Sequence, residues 1–270
     1  MRFLVLTGLV WGVFCVGLAA GAADDEPTLE GLSAADFLSQ IRRPFRQDAW
    51  GEITGGVMHS SSKGRHKGRL RIRLTFSAES LHAQIVLNEK NVYGYEQVHG
   101  TPGAKAQISL DLPEEEVKPG LFEFGLEPED ISFAFVYWDL LRELPRESYR
   151  RRDCRVMELS DPKGKKGTVR VWFEASRGFP LKAQWYHAGE EKHWRLLELK
   201  GAKRHAKKLW FVKEMRIEGD GWKTQVHFDH VEINPVEDAV PNGAKTEKAE
   251  TTPEKAETTP EKKGAEAKAP

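Results

Sequence analysis

Cysteine is nearly absent: two residues in 270, Cys15 and Cys154. Cys15 lies in an N-terminal apolar stretch that reads as removable. Cys154 is then alone, and no internal disulfide can form. Stability has to come from a buried core, which a chain of this length can build. Cys154 itself reads as a small buried hydrophobe in a strand. Net charge is lacking too, with 41 Lys and Arg against 41 Asp and Glu. That excludes a general nucleic-acid surface, which needs a clustered basic excess. The basic stretches 63–73 and 200–208 read as solvated turns and outward strand faces. Catalytic signatures are also missing. Gly55-Gly56 has neither the spacing nor the strand–helix context of a phosphate loop or dinucleotide fingerprint. The nine histidines are scattered. His227 and His230, three apart on an expected strand, should face opposite sides. His187 and His193 flank Glu190 and Glu191 in what reads as a polar hairpin tip, not a convergent metal site. Ser60, Ser61 and Ser62 fall in a polar loop with no base. Glu114 to Glu116 read as a solvated loop, and Glu127, Glu129 and Asp130 as a helix start. The expectation is no cofactor, no metal and no enzyme.

What is present begins with an address. Met1-Arg2 gives a positive start, and 3–18 is apolar apart from Thr7 and three glycines. Ala20-Gly21-Ala22 places small residues at −3 and −1 of a cleavage site, and Asp24, Asp25 and Glu26 follow. This is the pattern of a secretory signal peptide, 1–22, implying export to the periplasm. The other end, 235–270, has no aromatic residue, and Lys248-Ala-Glu-Thr-Thr-Pro-Glu254 repeats directly at 255–261. With nothing to bury and a proline in every repeat, it reads as a disordered low-complexity spacer. One domain, 23–234, remains.

Within it, Ser33 is an N-cap for a short helix carrying Phe37, Leu38 and Ile41, stopped by Pro44. The period then changes to two. Over 68–76, Leu70, Ile72, Leu74 and Phe76 share one face, while Arg69, Arg71, Arg73 and Thr75 share the other. Further strands are expected at 81–87, 91–98, 105–112, 155–159, 168–174, 181–187, 193–200, 209–218 and 222–233. Short turns between them require antiparallel pairing. The run 131–144, after Pro128 and before Pro145, reads as a helix with Phe135, Trp138, Leu141 and Leu144 inward. Leu196-Leu197 and Trp210-Phe211-Val212 leave their strands no clearly polar face, so both faces are covered or one lines an apolar cavity. Trp172, Trp185, Trp194, Trp210 and Trp222 could line a pocket or fill a core.

The order of elements resembles the outer-membrane lipoprotein-sorting protein family, with its LolA-like fold. The likeness spans about 32–234. It is carried by Glu129-Asp-Ile-Ser-Phe-Ala-Phe-Val-Tyr-Trp138, Tyr149-Arg-Arg-Arg-Asp-Cys-Arg-Val-Met-Glu-Leu159, Val169-Arg-Val-Trp-Phe-Glu-Ala175 and Phe211-Val-Lys-Glu-Met-Arg-Ile217. The resemblance implies a mainly β (α+β) fold: a large curved antiparallel sheet forming an unclosed β-barrel, with a short N-terminal helix and a lid helix over an apolar hollow. It implies a periplasmic carrier or binder of lipoprotein acyl chains or another lipid, each buried methylene contributing about 0.8 kcal/mol. The lipid-binding candidates are Leu70, Ile72, Leu74, Phe135, Trp138, Leu141, Val171, Phe173, Trp185, Trp210 and Val212. In that family an arginine on an early strand helps gate the hollow. Arg71 and Arg73 lie on the corresponding stretch, and Arg73 is the gating candidate, although the Arg-Pro context of such a residue is absent. An inner-membrane transporter or outer-membrane acceptor is left open as a partner, and the chain is expected to be a monomer. The alternative reading is a non-transporting envelope protein that uses the same scaffold to bind a partner protein or sense lipid.

Overall fold

The computed structural model describes residues 10–12, 15–17, 29–42, 49–77, 79–98, 107–162, 164, 167–205 and 209–235. The chain divides into one unit, Met1–Glu237, and a second, Asp238–Pro270. The second unit, with almost all of the expected spacer, lies outside the described residues, as does the expected cleavage site. Of the apolar N-terminal stretch, two short paired strands are described, β1 (Val10–Gly12) and β2 (Cys15–Gly17). Among the described residues no helix is long and apolar enough to cross a membrane.

The domain is one large antiparallel sheet built from two meanders. The first holds β3 (Ala49–Ser61), β4 (Gly64–Phe76), β5 (Ser80–Leu87), β6 (Asn91–Val98) and β7 (Gln107–Asp111). The second holds β8 (Asp139–Tyr149), β9 (Arg152–Ser160), β10 (Thr168–Glu174), β11 (Pro180–Tyr186), β12 (Arg195–His205), β13 (Leu209–Gly219) and β14 (Trp222–Pro235). The strand order is β7-β6-β5-β4-β3-β14-β13-β12-β11-β10-β9-β8. The first and last long strands, β3 and β14, therefore pair at the centre and join the two meanders. β7 and β8 remain as edges, and the sheet does not close into a barrel.

The expected alternation holds where strands are amphipathic. Leu70, Ile72 and Leu74 are buried and Arg69, Arg71 and Arg73 are exposed. The inner face is covered by two helical pieces. α1 (Ala34–Ile41) is capped by Ser33, whose hydroxyl accepts from the Asp36 N–H at 3.1 Å. It buries Phe37, Leu38 and Ile41, and Phe37 meets Phe173 edge-on at 5.8 Å. The second piece, between β7 and β8, contains a 3-10 turn (Phe122–Phe124), α2 (Pro128–Ser132) and another 3-10 turn (Ala134–Tyr137).

Three expectations need correction. The helix read over 131–144 ends at Ser132, because Phe133 adopts φ +51° and breaks it. A run of large apolar residues has no period that separates helix from other buried backbone. From Asp139 the chain is strand, and Leu141 is 56% exposed on β8 instead of facing inward. Pro145 sits inside β8, where the register slips between Leu144 and Glu147. An edge strand tolerates this because one row of its N–H groups has no ladder partner. Next, β3 was not recognised in the sequence, and Ser60 and Ser61 end a strand instead of lying in a loop. Three glycines hide it. Finally, His227 and His230 both lie exposed, because β14 bulges between Phe228 and His230 and resets the alternation.

The β3 glycines are there for close approach. A Cβ on Gly55 would stand 2.2 Å from the His227 carbonyl oxygen, whereas one on Gly56 would meet nothing nearer than the Gly68 oxygen at 3.9 Å. Gly55→Ala is therefore expected to push β14 away at its bulge and cost about 1–3 kcal/mol. Gly56→Ala should stay within about 0.5 kcal/mol of the parent. Urea denaturation midpoints of the two variants provide the check, and equal effects would mean the bulge moves freely.

Candidate functional site

The candidate site is the apolar interior between the inner sheet face and the segment 121–138. That segment delivers Leu121, Phe124, Leu126, Ile131, Phe135 and Val136 into the core, all essentially inaccessible. Phe135 meets Trp185 of β11 edge-on at 5.1 Å and Phe133 at 5.9 Å. The space is closed. The void beneath the segment, between Phe135, Trp138, Trp185 and Arg195, holds about 10 Å³, no more than one water. An acyl chain could enter only by displacing the protein's own side chains.

A few polar contacts pin the segment. Arg195 at the start of β12 donates to the Gly125 carbonyl at 3.0 Å and to Asp130 Oδ2 at 2.5 Å. Its guanidinium carbon lies 5.8 Å from the Trp185 ring centre and 5.5 Å from that of Trp222. Both members of this ion pair are buried. Asp130 also accepts from the Glu127 N–H at 2.7 Å, closing a capping box on α2. Burial pushes the Asp130 carboxyl up to about 6, with Arg195 opposing the shift. At the far end Arg42, just after α1, donates to the carbonyls of Val136 at 2.8 Å and Trp138 at 2.6 Å. Burial lowers the Arg42 pKa. The Phe124 carbonyl accepts from the Thr224 hydroxyl and lies 3.1 Å from His59 Nδ1. A further buried arginine, Arg155, grips Glu143 through two bonds of 2.7 Å and covers the Phe37 ring at 4.5 Å, tying α1 to β8 and β9.

The structure gathers Leu70, Ile72, Leu74, Phe135, Trp138, Val171, Phe173, Trp185 and Val212 into one buried cluster. Leu141 is excluded from it, and the side chain of Trp210 lies outside the described residues. Arg73 is corrected as a gate. It points to the outer face and bonds Glu52 at 3.2 Å and Gln84 at 3.4 Å, because it alternates with inward Ile72 and Leu74. The arginines that do hold the covering segment are Arg195 and Arg42, which the sequence did not single out. Asp130 was legible only as a helix-start acid. Above Arg195 a surface groove of about 540 Å³ opens between His59, His66, Phe122, Leu126 and Trp222. At the β11–β12 tip His187 stacks on Trp194 at 5.3 Å. Among the described residues no three His, Cys, Asp or Glu side chains converge as metal ligands.

No protein-family model matches the chain, and no curated protein matches it by sequence. Solved structures do match in shape. A putative outer membrane lipoprotein-sorting protein domain from Vibrio parahaemolyticus is similar at 16% identity and TM-score 0.55, over 68% of this chain and 85% of that one. A DUF1329 family protein from Desulfovibrio piger is similar at 17% identity and TM-score 0.55, over 73% and 89%. A LolA superfamily protein from Nitrosomonas europaea is similar at 15% identity and TM-score 0.52, over 77% and 96%. With its one large antiparallel sheet, not closed into a barrel, and few helices, the protein described here has the LolA-like fold of outer-membrane lipoprotein-sorting proteins.

Proposed function

We propose that this protein binds an acyl chain in the periplasm, as a carrier in lipoprotein sorting or outer-membrane maintenance, and that 121–138 is the displaceable cover. One observation carries the reading. The inner sheet face is apolar, and the cover over it is a short insertion held by a handful of polar contacts, not by the hydrogen-bond ladder of a strand. Displacing such a cover exchanges apolar contacts with the protein for apolar contacts with a ligand, so the buried area is kept. The ties of Arg195 and Arg42, and the Thr224 bond to the Phe124 carbonyl, are contacts that would have to break.

The test is native mass spectrometry of the protein purified without detergent, followed by titration with a fluorescent fatty acid. A bound acyl mass, or saturable uptake that rises when Arg195 is replaced by leucine, supports the reading. A clean mass with no uptake by either form would overturn it. The filled interior would then be the working state, and the scaffold would bind a protein partner. The void of about 10 Å³ already gives that second reading its footing.

A further inference from the structure

The outer face around β4 carries a feature the interior does not use. Alternation places Arg65, Lys67, Arg69, Arg71 and Arg73 there, and all five are exposed. At two residues per step the ladder runs for roughly 27 Å. Lys223 extends it sideways, since Lys223 pairs with Ser60 and Ser60 with Arg65. Countercharges flank the ladder at both ends, with Glu218 3.8 Å from Lys223. Glu52 lies 3.2 Å from Arg73 and 3.6 Å from Arg71, and Asp229 lies 3.6 Å from Arg69. Arg65 and Lys67 make no ion pair among the described residues.

The surface between these cations is open and partly apolar. Gly56 lies between Arg69 and His227, and it floors a shallow groove of about 570 Å³ walled by Met58, Lys67, Asn88 and, on the β13 side, Glu214, which is paired with Lys200 at 3.6 Å. In the next row Arg71 pairs with Val86 and Val86 with Val92, which is 42% exposed. Trp50, alternating with Glu52 on the same face, is 48% exposed.

We propose that this face docks on an anionic phospholipid bilayer, with a lipid phosphate seated over Gly56. A single soluble anion would call for one convergent site, whereas these cations are spread in a line across a sheet. That arrangement suits a surface with many negative headgroups. Trp50 and Val92 supply apolar contact at the level where aromatic side chains favour the membrane interface. The proposal does not depend on the interior taking a ligand, because the two faces are separated by the sheet.

Flotation of the full protein with phosphatidylcholine vesicles, with and without phosphatidylglycerol, tests it. The protein should float only with the anionic vesicles, and less as salt rises. K67A/R69A should weaken partitioning about thirtyfold, since each cation near an anionic surface is worth about fivefold. The charge-matched pair K192A/R151A, exposed in the β11–β12 and β8–β9 connections, should leave it unchanged. Failure of the parent to float with anionic vesicles would overturn the proposal. So would equal losses in the two pairs, which would reduce the effect to net charge. Saturable binding of inorganic phosphate without vesicle partitioning would make the groove a soluble-anion site and overturn it as well.

Discussion

Asp130→Leu destabilises the protein at pH 7 by about 3–5 kcal/mol, and Arg195→Leu by distinctly less, about 1–3 kcal/mol. The asymmetry follows from what each variant leaves behind. Without Asp130, the Arg195 guanidinium stays buried with only the Gly125 carbonyl to meet it, and a guanidinium cannot shed its charge. Without Arg195, the Asp130 carboxyl takes up a proton. Burial has already raised it to about 6, so neutralisation near pH 7 is cheap. Urea unfolding of both variants measures the difference. Equal losses would mean that water reaches the guanidinium once the carboxylate is gone. Asp130→Leu should also loosen the cover at its capped end and raise uptake of an apolar dye.

The same carboxyl gives a pH signature with a definite sign. Its folded pKa, about 6, lies above the ordinary value of 3.8, so between those values the folded protein holds more proton than the unfolded chain. Its contribution to stability is present at low pH and is lost as pH rises through about 6. Glu143 and Glu198 act in the opposite direction: Arg155 holds Glu143 below its usual range, and at Glu198 burial pushes up but is outweighed by the Tyr149 hydroxyl and the neighbouring Arg150, Lys200 and Arg216. The Asp130 effect is therefore read as the difference between the parent and Asp130→Asn. The parent's stability relative to Asp130→Asn should fall from pH 4.5 to pH 7 and stay flat above. A flat difference throughout would show that the carboxyl is ionised across the range.

Phe135→Ala is expected to cost about 3–5 kcal/mol, the usual loss for a buried phenylalanine. The ring is packed against Trp185 and Phe133, and almost no void adjoins it to absorb the change. Removing it leaves an apolar cavity between the cover and the sheet. Cavities of that kind stay dry and accept small apolar molecules. Benzene or a short alkane should thus raise the Tm of Phe135→Ala and leave the parent unaffected. If neither ligand helps, the cover has collapsed onto β11, and the interior is soft instead of a preformed hollow.

Much of the sheet was legible because a strand's faces are set by neighbours two residues apart. β6 and β10 have the bounds their alternation predicts, and Ser33 caps α1 as its side chain dictates. Legibility failed where a distant backbone set the rule. The glycine-rich strand β3 goes unread until β14 is seen against Gly51 and Gly55. The bulge after Phe228 moved His230 onto the face of His227, and no residue type marks it. Arg73 came from the resemblance alone, and its own alternation with Ile72 and Leu74 turns it outward.

The amino-acid order by itself determined local conformations: the capped helix α1, many of the hairpin turns, and the inward side chains of the regularly alternating strands such as β4. Tertiary structure alone decided that the interior is closed and what closes it. Asp130 and Arg195 stand 65 residues apart and become partners only once the segment 121–138 folds back over β11 and β12. Their coupling depends on desolvation. Desolvation is a property of everything packed around a group, and it cannot be read from the group's own neighbours in sequence.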